Sequence, residues 1–334
     1  MSKAESDDIL IIGAHEVEVA LKGREASVVD AVRRAYEAHS RGASSLPHSS
    51  FLRFPDSEQD RIICLPAYLG DEYQLAGVKW IASMPDNVAR GMERASAVMI
   101  LNDRVTGRPG AVIEGSIISK QRTAASAALA SKVLAQDEPE VIGFVGCGPI
   151  NIAVAQFLSD TWPNVVRFMA FDLDPERAIK FGSTLRPDAD FSVCANLEEL
   201  LSACPMVAFA TTAIQPYVND LDACPAGATI LHVSLRDLSA DTLFASHNIV
   251  DDLDHVNRAS TSIHLASQLA GNTDFVHCSL GDILLGSANL PERDGRPIIF
   301  SPFGLGVLDL AVADLVQNTI AENGGGTLVK SFLP

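Results

Sequence analysis

The stretch from Val141 to Asp172, VIGFVGCGPINIAVAQFLSDTWPNVVRFMAFD, constrains the fold more than any other part of the 334-residue chain. Val141 to Val145 is an apolar run of strand length. Gly146-Cys147-Gly148 follows it, and from Ile150 to Leu158 apolar residues recur at helical spacing. Strand, glycine turn and helix in that order open a dinucleotide-binding unit. Gly146 permits the tight turn and Gly148 lets backbone approach a pyrophosphate. Pro149, Ile150 and Asn151 then begin a helix whose unpaired N–H groups attract the anion. Pro149 suits that place because its missing donor would have no partner there. A second apolar run, Val165 to Phe171, ends in Asp172, 21 residues after Asn151. This is near the ~20-residue spacing expected of a carboxylate that accepts hydrogen bonds from an adenosine ribose. A carboxylate there repels a 2′-phosphate, so the expected cofactor is NAD rather than NADP. One position departs from the pattern, Asn151, where glycine or alanine normally permits close helix-to-strand packing. A bare G-x-G also occurs in ordinary strand-to-helix turns; the flanking strand, helix and acid favour the cofactor reading.

The remaining chain falls into three parts around this unit. Before it, Ile9 to Ile12 reads as a short strand, Phe51 to Phe54, Arg61 to Pro66 and Leu75 to Ala82 as strands in an antiparallel arrangement, and Val98 to Asn102 as a strand that a hairpin turn joins to Ala111 to Glu114. A helix with Ser27 as N-cap carries the stripe Val28, Val29, Ala31, Val32, Ala35 and Tyr36. Ser119 to Ala135 reads as a long, alanine-rich hinge helix. Strands then alternate with helices that begin near Ile150, Pro175, Leu197 and Thr242, which means a doubly wound parallel (Rossmann) sheet. From Pro297 the pattern changes to a strand, a glycine-rich bend from Phe303 to Gly306, and a helix to about Ala321. The expected architecture is therefore α/β. It has a discontinuous β-rich α+β domain, residues 1–120 and 303–334, and an NAD-binding Rossmann domain, residues 121–302.

Charge narrows the partners. There are 42 acidic against 25 basic residues, for a formal net charge of −17, with no basic block, so nucleic acid and anionic membrane are not expected partners. The opening MSKAESDDILIIG carries acids where a signal peptide needs cations, and no run approaches a membrane span, so a cytoplasmic protein is expected. The six cysteines are scattered without a C-x-x-C pair, and no histidines have metal-ligand spacing, so neither disulfides nor a metal site is expected. His232, in an apolar strand run, reads as a satisfied buried histidine.

Several motifs resemble one family, the ornithine cyclodeaminase and mu-crystallin family. They are VKWIASMPDN (Val78 to Asn87), GRPGAVIE (Gly107 to Glu114), ISKQRTAASAA (Ile118 to Ala128), the GCGPIN turn and GLGVLD (Gly304 to Asp309). The stretch Asn87 to Asp103 with KWIAS before it is most similar to the members that make 2,3-diaminopropionate for siderophores and peptide antibiotics. The resemblance implies NAD-dependent oxidation of N-(2-amino-2-carboxyethyl)-L-glutamate, release of 2-oxoglutarate and L-2,3-diaminopropionate, and a homodimer formed through the β-rich domain.

Isolated cations must hold such a small anionic amino acid. Lys79 lies among Gly77, Val78, Trp80 and Ile81, and on its own reads equally as a strand lysine facing solvent. Arg122 stands near the start of a helix, where the macrodipole disfavours cations, which points to an anion as its partner. Arg53, in FLRF, alternates with apolar neighbours. The resemblance places these three around a substrate carboxylate, which guanidinium groups bind bidentately, with Arg94 as a further contact. Asp237, after the strand Thr229 to Val233, lies where ligands bind in doubly wound sheets, and is otherwise a helix-capping aspartate. The resemblance makes it a general acid/base. The base is therefore Asp237 or Lys79. Arg236 is an alternative anion contact. The resemblance also sets Thr211, Thr212, Ser234 and Gly304 around the nicotinamide end of the cofactor. Alternatives within the family are an ornithine cyclodeaminase, a ketimine reductase or an opine-type alanine dehydrogenase. A non-catalytic nucleotide-dependent binder resembling mu-crystallin is the alternative from another class.

Overall fold

The computed structural model describes residues 7–334, so the acidic opening Met1 to Ser6, part of the cytoplasmic expectation, lies outside the described residues. In chain order the elements begin with β1 (Ile9–Ile12), α1 (Ala14–Leu21), α2 (Glu25–Ser40), β2 (Ser44–Ser45), β3 (Ser50–Phe54), β4 (Ser57–Leu69) and β5 (Leu75–Ser83). A 3-10 turn (Pro85–Arg90) leads to β6 (Ala95–Asp103), β7 (Pro109–Glu114) and α3 (Ser116–Leu134). Next come β8 (Val141–Val145), α4 (Pro149–Thr161), β9 (Arg167–Phe171), α5 (Pro175–Gly182), β10 (Asp190–Val193), α6 (Leu197–Ala203), β11 (Met206–Phe209) and β12 (Thr229–His232). The chain closes with α7 (Ala240–Phe244), β13 (His247–Val250), α8 (Leu253–Val256), α9 (Ser262–Ala270), β14 (Val276–Ser279), α10 (Leu280–Leu285), β15 (Ile298–Ser301), α11 (Gly306–Asn323) and β16 (Thr327–Val329).

These elements form two compact units, Met1–Arg122 with Leu305–Pro334, and Thr123–Gly304. The first is built on a sheet of order β16-β1-β7-β6-β5-β4-β2, with β3 paired to β4. It is mixed: β3, β4 and β5 are antiparallel neighbours, as expected. β1 runs parallel to β7 because α1 and α2 intervene after β1, so its partner is reached by a crossover and not by a hairpin. Helix α11 packs on α2, β4 and β5. Buried residues fall on more than one side of it, from Val307 through Leu310 and Ala313 to Ile320, so it is a core helix and not a surface one. Where it crosses β5 the strand carries Gly77; a Cβ there would stand 2.5 Å from the Ile100 carbonyl oxygen and 2.9 Å from Leu310.

The second unit has eight parallel strands in the order β10-β9-β8-β11-β12-β15-β13-β14. The order reverses beside β8: β9 and β10 lie to one side, β11 and β12 to the other. This is the switch point at which a doubly wound sheet leaves a crevice beyond its carboxyl ends. Strands buried on both faces are continuously apolar, as in VIGFV of β8 and MVAF of β11. Two starts differ from expectation. Helix α2 begins at Glu25 with Arg24 as N-cap, so Ser27 is already inside its first turn. Helix α3 begins at Ser116, because Glu114 accepts hydrogen bonds from the Ser116 and Ile117 N–H groups at 2.7 and 3.1 Å and so supplies the cap one turn early.

Candidate active site

In the first unit Lys79 occupies the middle of β5, on the face toward α11. It is only 3% exposed, which removes the solvent-facing alternative. Its Nζ donates to Asp309 Oδ2 at 2.7 Å and to Ser119 Oγ at 3.1 Å. Asp309, in the first turn of α11, accepts a second bond through Oδ1 from Arg122 Nε at 3.1 Å. Burial pushes the Lys79 ammonium down to about 8; Asp309 opposes that change and the Arg122 charge adds to it. A lysine in this state is partly neutral near pH 8 and can accept a proton. Arg122 sits in the second turn of α3, past the reach of the first-turn dipole, and its anionic partner is Asp309.

Arg53 and Arg94 do not join that cluster: among the described residues neither bonds to Lys79, Arg122 or Asp309. Arg53 is exposed on β3, with its guanidinium 5.7 Å from the Phe51 ring centroid. Directly across the ladder from it on β4 is Arg61. The same row continues through Ser83 to Ala95, and Arg94 is the residue just before it. Cross-strand partners share a face, and residues 79, 81 and 83 of β5 share one, so Arg53 and Arg61 project on the Lys79 side of the sheet. Four residues of strand separate the two levels, about 13 Å at about 3.3 Å per residue.

In the second unit the glycine turn has the shape its sequence demands. Gly146 has φ +83°, and a Cβ on it would meet the Ala210 carbonyl oxygen at 2.7 Å. Gly148 is the N-cap of α4 and Pro149 its first residue; a Cβ built on Gly148 would meet nothing within 4 Å, so the space in front of the helix N-terminus is open. Ile150 follows, half-buried. Asn151 is fully buried, and its Nδ2 donates to the carbonyls of Val145, Gly146 and Ala208 at 3.0, 2.7 and 3.2 Å. The side chain that replaces the third glycine thus ties the turn to the ends of β8 and β11. Asp172 Oδ2 accepts from Cys147 N at 2.7 Å and Oδ1 from Asp174 N at 2.9 Å, with Arg177 at 3.7 Å.

Asp237, just past the carboxyl end of β12, is fully buried and caps no helix; the N-cap of α7 is Ser239. Its Oδ1 accepts from the Thr211 hydroxyl and from Tyr217 at 3.1 Å. Its Oδ2 accepts from Ser234 at 2.5 Å and lies 3.2 Å from His232 Nε2. Burial alone would raise this carboxyl, but the His232, Ser234 and Thr211 partners outweigh it and hold Asp237 below the usual carboxylate range. His232 is buried, with Nδ1 3.0 Å from Ser301 Oγ, so it supports Asp237 from beneath. Thr212 is exposed and makes no bond to Asp237. Arg236 is tied to the carbonyls of Ser260 and Ala259 at 3.0 and 2.7 Å. Gly304 has φ +94°, and its N–H, with that of Phe303, donates to buried Asp251 at 2.7 and 2.9 Å. Sequence reasoning missed Asp309, Tyr217, Ser301 and Asp251. Asp309 left a trace, as the one acid in the apolar run from Gly304 to Ala313; Tyr217 left none.

The model of the ornithine cyclodeaminase/mu-crystallin family matches residues 9–324. The chain belongs to that family. Among curated members, the N-((2S)-2-amino-2-carboxyethyl)-L-glutamate dehydrogenase of Staphylococcus aureus (strain NCTC 8325 / PS 47) is 32% identical, covering 97% of this chain and 99% of its own. Among solved structures, CmnK aligns with a TM-score of 0.89 at 26% identity, over 97% of this chain and 99% of its own. An archaeal alanine dehydrogenase dimer with bound NAD aligns with a TM-score of 0.88 at 28% identity over the same shares. Ornithine cyclodeaminase/mu-crystallin relatives with these names are dehydrogenases, which places this member among oxidoreductases.

Proposed function

We propose that this protein oxidises N-(2-amino-2-carboxyethyl)-L-glutamate with NAD and hydrolyses the resulting imine, releasing 2-oxoglutarate and 2,3-diaminopropionate, a precursor of siderophores or peptide antibiotics. The observation that carries this reading is the buried lysine of the first unit, poised near pH 8 beside a guanidinium. The 32% identity to the Staphylococcus dehydrogenase over nearly the whole chain directs it to this substrate.

The second unit fits the dinucleotide. Gly146 tolerates no side chain, the α4 N-terminus opens on free space, and Asp172 stands at the end of β9 as an acceptor for the ribose hydroxyls. NAD, when bound, takes the hydride from the amino-acid Cα. Thr211, Thr212, Ser234 and Gly304 lie at the strand ends and bend where a nicotinamide half would be lined.

In the first unit Arg122 uses only Nε on Asp309, which leaves its terminal nitrogens to hold a substrate carboxylate. Lys79 would take the proton from the secondary ammonium, leaving the free amine from which loss of hydride gives a protonated imine. Water adds to the imine carbon, and collapse of the carbinolamine breaks the C–N bond. The ketone leaves as 2-oxoglutarate and the protonated nitrogen as the diaminopropionate amine. The state of Asp237, ionised and enclosed by donors, supports Lys79 over Asp237 as base. Asp237 then serves by orienting Thr211 and Tyr217. Arg53 stands exposed on β3, on the Lys79 side of the sheet, and a tricarboxylate brings more carboxylates for such a cation than alanine does. Even-numbered residues of β5 point away from α11; among them Trp80 is 42% exposed, an apolar sheet face suited to a homodimer.

The test is NADH absorbance on mixing the protein with NAD and N-(2-amino-2-carboxyethyl)-L-glutamate, with alanine and ornithine in parallel. NADH and 2-oxoglutarate from the first substrate alone support the reading. NADH from alanine, or ammonia from ornithine without NADH, would replace it with the corresponding family activity.

A further inference from the structure

Asp309 is the only carboxylate bonded to Lys79 or Arg122 among the described residues, and it is fully buried. It meets the two cations with different oxygens, so the three side chains form one chain of charge: ammonium, carboxylate, guanidinium. Lys79 and Arg122 come from β5 and α3, and Asp309 reaches them from α11, 230 and 187 residues away in sequence. On either side of Lys79 the ladder partners are Leu65 and Met99, so β4 and β6 bring no charge to it at that level. Ser119 is the remaining polar neighbour and carries no charge. Besides burial, which is the largest influence, the charge state of Lys79 therefore answers, among the described residues, to Asp309 and Arg122.

We propose that Asp309 is a positioning residue that holds Lys79 and Arg122 as one unit and governs the pH at which Lys79 accepts a proton. This rests on the reading of Lys79 as base. A buried lysine without a carboxylate partner would be neutral throughout the physiological range. It would then have nothing to draw its amine toward Asp309, and Arg122 would lose the bond that orients its fork. A lysine with a carboxylate and no second cation would stay charged to higher pH. The pairing of one anion with two cations keeps Lys79 between these limits, where it gives up and regains a proton within a turnover.

The opposite signs expected for the two partners make the idea testable without substrate. Protein carrying [13Cε,15Nζ]-lysine, with the Lys79 signal assigned through Lys79→Arg, is titrated by NMR. Asp309→Asn should move the Lys79 midpoint to lower pH by about one unit or more, and Arg122→Gln should move it to higher pH. The acid limb of kcat/KM should follow the midpoint in each variant, whereas a merely structural role for Asp309 would lower the rate and leave the limb in place. A folded Asp309→Asn protein whose midpoint does not move overturns the proposal, as does a rate limb that ignores the midpoint. If Asp309→Asn does not fold, Arg122→Gln and Asp309→Glu carry the test: an unmoved midpoint in the first or a moved limb without a moved midpoint in the second overturns it. Failure of the substrate reading has a different signature, absence of NADH from wild type whatever the titration shows.

Discussion

The backbone N–H of Cys147 donates to the carboxylate of Asp172 at 2.7 Å, so the acid at the end of β9 braces the glycine turn it faces. Replacing it removes an acceptor for the ribose and a support for the turn together. Asp172→Ala should raise the KM for NAD by about tenfold or more, the value of one or two charge-assisted hydrogen bonds, and should narrow the preference over NADP. Initial rates with both cofactors measure this; an unchanged ratio of the two kcat/KM values would remove Asp172 from cofactor selection.

Lys79 leads to a pH prediction. Its ammonium is pushed down to about 8, and under the proposed function the neutral form is the base, so kcat/KM should rise as pH increases through about 8 and level off above it. Lys79→Met should lower kcat by about 10²–10⁴-fold while NAD still quenches tryptophan fluorescence at wild-type concentrations. A profile flat from pH 6 to 9 would assign proton transfer elsewhere.

Asp237 is held ionised by the Thr211, Ser234 and Tyr217 hydroxyls with His232 beside them, so its contribution to stability is complete above the unfolded carboxylate value of about 4 and is lost as the pH falls from there through its lowered folded value. Asp237→Asn places an amide among donors, which should cost about 1–3 kcal/mol and flatten the loss of stability on acidification. Turnover should fall with NAD binding retained. Denaturant unfolding at pH 7 and at about pH 3, below the unfolded carboxylate value, compares the two proteins directly.

Arg53 and Arg61 face each other across the β3–β4 ladder. Arg53→Leu should raise the KM for the proposed tricarboxylate substrate by about tenfold, the value of a lost charged contact. Any residual alanine oxidation provides the control. An equal loss on alanine would assign Arg53 to the carboxylate that both compounds share.

Gly77 has no room for a methyl group between the Ile100 carbonyl and Leu310. Gly77→Ala should destabilise the first unit by about 1–3 kcal/mol through displacement of α11 from β5, and a thermal melt measures it.

Much of the second unit was legible because its signals are local. The VIGFV run, the two glycines and Pro149 each specify their own backbone, and strands that alternate with helices allow one class of sheet. What sequence reading could not supply was set by partners far along the chain. Lys79 looks the same in sequence whether it faces solvent or Asp309, 230 residues away. Asn151 departs from the glycine pattern, and only the positions of three carbonyls show why an amide fits there. Helices α1 and α9 are short and were not anticipated, and the pairing of β1 has no local signal because its parallel partner lies beyond two helices.

The placement of α11 fixes an order of events in synthesis. It packs on α2, β4 and β5, yet all of residues 123–304 are made between those elements and the helix. At roughly 5–20 residues per second that interval lasts on the order of ten to forty seconds. Throughout it the growing chain holds a nearly finished sheet whose inner face, Lys79 included, lacks the helix that covers it. Residues 123–304 are therefore synthesised before the first unit has all its parts, and the first turn of α11 then brings the carboxylate that its lysine and arginine await.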